Sequence, residues 1–92
     1  MSKKNQLMEV FADAMAVHND FIAVSIETKG STGTEVIINP SCNFKTKMEY
    51  YQKAYDDDLI LKTFDGIRIV GACSFDEDCE WNDIMEMLSE PL

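Results

Sequence analysis

Leu7, Phe11, Ala14, Met15 and His18 follow one another at spacings of four, three, one and three. At about 100° per residue these positions share one stripe, with Met8 and Val10 on its borders and Glu9, Asp13 and Ala16 opposite. The pattern predicts an amphipathic helix over 5–19, stopped at Asn19-Asp20, with His18 on the apolar stripe of its last turn. From Phe21 to Thr28 the period changes to two. Ile22, Val24 and Ile26 alternate with Ala23, Ser25 and Glu27, which predicts a half-buried strand. A loop with two glycines, Lys29 to Gly33, separates it from a second strand at 34–38 with Val36 and Ile38 inward, so the two form a hairpin.

Asn39-Pro40-Ser41 ends that strand, and Ser41 or Asn43 can cap a helix over 44–55 whose stripe is Phe44, Met48, Tyr51 and Tyr55. Tyr50 projects from its far side and is free to act as an interface anchor. Asp56, Asp57 and Asp58 stand where they oppose the helix macrodipole. Either the helix ends before them or they serve something else. Residues 59–64 and 67–70 flank Asp65-Gly66, a strong hairpin signal, and Gly71-Ala72 marks a bulge or close packing. Ser74-Phe75-Asp76-Glu77 has the form of a capping box for a last helix over 77–89. Trp81, Ile84, Met85 and Leu88 make the inward stripe of that helix, and Glu80, Asp83, Glu86 and Glu90 face out.

The order is α-β-β-α-β-β-α in one domain spanning 1–92. The predicted class is α+β, with a mainly antiparallel four-stranded sheet and helices packed on one face. Phe11, Val24, Ile26, Val36, Met48, Tyr51, Leu61, Ile69, Trp81 and Leu88 are expected in one core, where truncating Trp81 to alanine would cost about 3–5 kcal/mol.

Charge changes the picture more than composition does. The chain has 17 acids and 8 bases, a formal net of -9. Residues 1–55 hold six of each sign, whereas residues 56–92 hold eleven acids and two bases, Lys62 and Arg68. Seven acids and no base lie between Asp76 and Glu90. This balance argues against direct binding to nucleic acid or anionic membrane, which needs clustered Lys and Arg. No apolar run reaches the roughly 20 residues of a membrane span, and the N-terminus does not have the form of a signal peptide. A solvated helix face with acidic caps, which favours solubility, is one complete reading of this charge. Self-repulsion of this size also destabilises a small domain, so a binding role can require it. A compact acidic surface steers basic partners and can imitate the phosphate row that nucleic-acid-binding grooves are built to meet.

Reactive constellations are lacking. Asp76-x-Asp78-x-Glu80 resembles a calcium loop, but the required Gly and bidentate Glu positions hold Trp81 and Met87. Asp56-Asp57-Asp58 with Asp65 offers only loose carboxylates. Cys42, Cys73, Cys79 and His18 have no zinc spacing and no local signature of a nucleophile pair. Gly30-Ser31-Thr32-Gly33 has neither the lysine nor the following helix of a phosphate loop. No cofactor and no enzymatic activity are expected. An odd cysteine count predicts three free thiols and a reducing, cytoplasmic setting.

Asn39-Pro40-Ser41-Cys42-Asn43-Phe44, Met48-Glu49-Tyr50-Tyr51 and Tyr55-Asp56-Asp57-Asp58-Leu59, with the final acidic helix, resemble small accessory proteins of phages and prophages from low-GC Gram-positive bacteria. The likeness covers roughly the second half of the chain. That class includes inhibitors of host defence, among them anti-CRISPR proteins that occupy a DNA-binding surface. The resemblance implies a class and carries over no residue. The expected function is therefore an acidic binding protein that engages a basic surface of another protein, such as a nucleic-acid-binding protein, as a mimic or inhibitor. Its candidate contacts are Asp76, Asp78, Glu80, Asp83, Glu86, Glu90, Asp56, Asp57, Asp58 and Tyr50. The alternative is a module that self-associates through a hairpin edge, with its acidity serving solubility.

Overall fold

A computed structural model describes residues 2–92. Its elements are α1 (Lys3–Ala16), β1 (Phe21–Thr28), β2 (Thr34–Pro40), a 3-10 turn (Ser41–Asn43), α2 (Phe44–Ala54), β3 (Ile67–Phe75) and α3 (Trp81–Leu88). The class is α+β, with three helices and one antiparallel sheet of order β2-β1-β3.

The sheet has three strands, not the expected four. The turn at Asp65-Gly66 forms, but residues 59–64 make only the isolated bridge Ile60↔Arg68 to β3 and another, Tyr55↔Leu61, back to the end of α2. Two features interrupt any ladder there. Leu59 takes a left-handed backbone (φ 61), and Lys62 turns away to donate its N–H to the Ala54 carbonyl at 2.9 Å. β3 in turn runs five residues past its predicted end. A bulge in β3 lies next to Gly71, because Ser25 pairs with Gly71 while Ile26 pairs with Ile69. The extra residue, Val70, changes which side chains face each side of the sheet.

Helices cover both faces rather than one. Ile22, Val24 and Ile26 of β1 pack with Leu7, Phe11, Ala14, Phe44, Tyr51, Tyr55, Leu59 and Ile69 beneath α1 and α2. On the opposite face Ala23 and Cys73 meet Ile84 and Leu88 of α3. The second row of β1, expected to face solvent, is therefore buried at Ala23 and Ser25. Its small side chains make a floor that a helix can approach closely. The single predicted core divides accordingly: Val36 packs with the α3 cluster, while Met48 and Leu61 border the larger one.

Helix ends also differ from expectation. Ser2 caps α1 by accepting the Asn5 N–H at 3.1 Å. The helix stops at Ala16, and His18 lies beyond it, exposed, at φ 58. The His18 N–H bonds the Met15 carbonyl and the Asn19 N–H bonds that of Ala14, a Schellman closure with His18 in the left-handed position.

The capping box at Ser74–Glu77 does not form. Ser74 lies in β3, where its Oγ accepts from Asn19 Nδ2 at 2.8 Å. The carboxylate of Asp20 takes the Glu77 N–H at 3.1 Å instead. That tertiary bond holds the 76–79 turn out of the helix, so α3 starts at Trp81 with Glu80 as its N-cap. A start four residues later leaves Trp81 in the first turn, 53% exposed. It is not a core residue, and the large cost expected for its truncation does not apply.

Candidate binding surface

α3 is anchored by Ile84 and Leu88, which fixes where its other side chains point. At about 100° per residue Asn82, Asp83 and Glu86 lie on the outward side, while Trp81 and Met85 border the buried stripe on one flank and Met87 on the other. All six are exposed, as are Glu80 at the N-cap and Glu90 beyond the last turn. Asp83 in the first turn complements the positive end of the helix. The turn leading into α3 adds Asp76, Glu77 and Asp78, all exposed. The α3 side thus combines exposed apolar side chains, Trp81 and Met85 on one flank and Met87 on the other, with seven carboxylates.

Little nearby charge offsets those acids. Arg68, one of the two bases after residue 55, forms an exposed pair with Glu27 at 2.9 Å. Such a pair contributes little to stability, and it leaves Arg68 on β3 rather than on α3.

The remaining candidates lie elsewhere. Tyr50, Asp56, Asp57 and Asp58 belong to the α1/α2 side, where the Asp57 carbonyl accepts the Lys4 N–H at 3.2 Å. The ten candidate contacts therefore occupy two surfaces. Tyr50 is 49% exposed, stands edge-on to Tyr51 and Tyr55, and carries Lys47 Nζ at 5.6 Å from its ring centroid. Its charged neighbour is a cation, so it belongs to a different surface chemistry from α3. Asp56 is structural: its Oδ1 accepts the N–H groups of Asp58 (2.9 Å) and Ile60 (3.0 Å), and so shapes the turn that buries Leu59.

The aromatic cluster beneath Tyr50 is core. Burial raises the pKa of both Tyr51 and Tyr55, with Tyr50 adding to it, and Tyr55 is pushed up to about 12. At Tyr51 the neighbouring Asn39 side chain pulls the other way, although the hydroxyl makes no well-formed hydrogen bond.

Two grooves accompany these surfaces. One, of about 230 Å³, lies between the end of α1 and the 3-10 turn and is lined in part by His18, Asp20 and Ser41. Its carboxylate, Asp20, already holds the Glu77 N–H. The other, of about 250 Å³, opens where the C-terminal end of α3 leaves the sheet uncovered, between Thr34 and Val36 of β2 and Met85 and Leu88 of α3. Ser25 lines it, and its buried hydroxyl has no partner.

Trp81 is the exposed aromatic of α3 that the sequence pattern places in the core instead. Its helical spacing to Ile84 and Leu88 is that of a core residue. Only the later helix start, set by Asp20 57 positions before Glu77, separates it from the core. Among the described residues no group of three or more His, Cys, Asp or Glu side chains is placed to hold a metal ion, and no helix is long and apolar enough to cross a membrane. Comparison with protein-family models, with curated proteins and with solved structures returned no match for this chain.

Proposed function

We propose that this chain is a non-enzymatic binding protein that engages a basic surface of another protein through α3 and the turn before it. One observation carries the proposal: Trp81 is 53% exposed in the first turn of a helix that presents Asp83 and Glu86 outward. Interfaces concentrate their energy in buried aromatic anchors with a polar rim around them, and tryptophan is enriched among those anchors. Met85, one turn further along the same flank, supplies adaptable apolar area beside it. The acids provide long-range attraction and orientation, which act mainly on the association rate. A groove that binds nucleic acid is the basic surface best matched to this charge, so the finer form of the proposal is a nucleic-acid mimic acting in the cytoplasm. It accords with the accessory-protein resemblance and with inhibition of a host protein.

Two variants separate anchor from rim. Glu80→Gln, Asp83→Asn and Glu86→Gln together remove charge without opening a cavity, and Trp81→Ala removes the anchor. The acid variant should melt close to the wild type, since exposed changes usually shift stability by less than about 0.5 kcal/mol. Trp81→Ala also loses the covered half of its ring and should melt lower while keeping the circular dichroism of the folded protein. Capture of a partner from bacterial lysate should weaken in both and fall with added salt. Release of the captured protein by excess duplex DNA would support the mimic. Capture that neither variant nor salt alters would reject α3 as the contact and leave the acids as a solubility device.

A further inference from the structure

We propose that the outer edge of β2 is a self-association surface, where a second copy adds its own β2 antiparallel and joins two three-stranded sheets into one of six. The two edges of the sheet are treated differently. Along β3 the Leu61 N–H reaches the Ile67 carbonyl, Ile69 donates to Leu59, and the Leu92 N–H reaches Val70. Along β2 no such cover exists among the described residues. Proteins usually guard a free edge with lysines, a bulge or an inward charge. β2 has one charged residue, Glu35, places Pro40 only at its end, and keeps an unbroken register with β1 from Phe21↔Pro40 to Glu27↔Thr34.

The side chains of this edge are self-complementary. α3 sits on β3 and β1, so on its face Val36 stays half-buried and Ile38 is 40% exposed. A two-fold register centred on Ile37 sets Val36 of each copy against Ile38 of the other. The same register sets Glu35 against Asn39, so no carboxylate faces its own copy. Cross-strand apolar pairs of this kind are the unit of sheet stabilisation.

Charge selects the same edge. The order β2-β1-β3 puts β2, from the electrically balanced first 55 residues, at the free edge. β3 and α3, from the acidic remainder, lie toward the other side. Two copies can meet through their neutral sides while both α3 surfaces stay open. The pairing is thus independent of the function proposed above, and salt should act on the two in opposite directions. Added salt screens the repulsion between two chains of net -9 and strengthens the dimer, whereas it weakens capture of a basic partner.

Sedimentation velocity over a range of protein and salt concentrations tests this. A reversible dimer whose fraction rises with both is expected. Ile38→Lys should weaken it by at least about tenfold with the circular dichroism unchanged, while Trp81→Ala and the triple acid variant should leave it intact. If Ile38→Lys lowers the melting temperature, Ile38→Thr, which keeps a β-branched side chain, takes its place. In hydrogen exchange the outward amides of β2 should gain protection as concentration rises. A chain monomeric throughout, a dimer indifferent to Ile38, or one lost on changing Trp81 would overturn the proposal.

Discussion

Gly71 and the carbonyl of Leu88 approach so closely that a Cβ built on Gly71 would stand 2.7 Å from that oxygen. The contact fixes where the end of α3 lies on the sheet. A Cβ there would also stand 3.0 Å from Ser25 Oγ, so β3, β1 and α3 meet at one point. Gly71 lies outside the left-handed region, which isolates packing from backbone strain. Gly71→Ala should therefore destabilise the fold by overpacking, by about 1–3 kcal/mol. For a domain of this size each 1 kcal/mol lowers Tm by about 4–8 °C. A thermal melt decides it, and an unchanged Tm would mean that α3 is only loosely seated.

Asp56 offers a separate test of a carboxylate that works within the fold. Its oxygen holds two backbone N–H groups, and Leu59 is buried in a left-handed conformation inside that turn. Removing the acceptor leaves both donors without it. Asp56→Ala should cost about 1.5–3 kcal/mol in a urea titration, the range for hydrogen bonds to a charged group. Asp56→Asn, whose amide oxygen can still accept, should recover most of the loss. Asp57→Asn and Asp58→Asn should stay within about 0.5 kcal/mol, because both residues are exposed. Equal losses at all three positions would show that bulk charge, not the turn, sets stability here.

These two sites mark where sequence pattern stops being informative. Local periodicity was enough to place the β1–β2 hairpin, the Phe44–Tyr51–Tyr55 stripe and the Ile84–Leu88 stripe, because each depends on spacing alone. The second helix-covered face was not legible. Ala23, Ser25 and Gly71 look like a solvent row beside Ile22, Val24 and Ile26, and only the seated helix shows that their smallness admits close approach. The start of α3 depends on Asp20, and the loss of the fourth strand on the backbone of Leu59, which no propensity assigns to a leucine. In the candidate site, the outward acids of α3 followed from helical geometry. Asp56 could not be told from Asp57 and Asp58, since the three differ only in which backbone groups they reach.

Cys73 allows a prediction about pH. Burial beneath α3 pushes its thiol from 9.0 up to about 11, and Cys79 beside it acts in the same direction. The folded protein therefore favours the protonated thiol more than the unfolded chain does. Its contribution to stability is complete below pH 9 and is lost as pH rises from about 9 toward 11. Tyr55 behaves alike but later, between its ordinary 10.0 and about 12, so the interval from 9 to 10 belongs chiefly to Cys73. Tm of the wild type should fall more steeply across that interval than Tm of Cys73→Ala, which carries no proton there to lose. Thiol chemistry supplies an independent check. Cys42 is exposed, Cys79 half-buried and Cys73 buried, so alkylation of the folded protein at pH 8 should follow that order, with Cys73 the slowest. Three adducts should form in denaturant without reductant. Parallel pH slopes for wild type and Cys73→Ala, or early labelling at Cys73, would show that α3 does not seal this thiol from water.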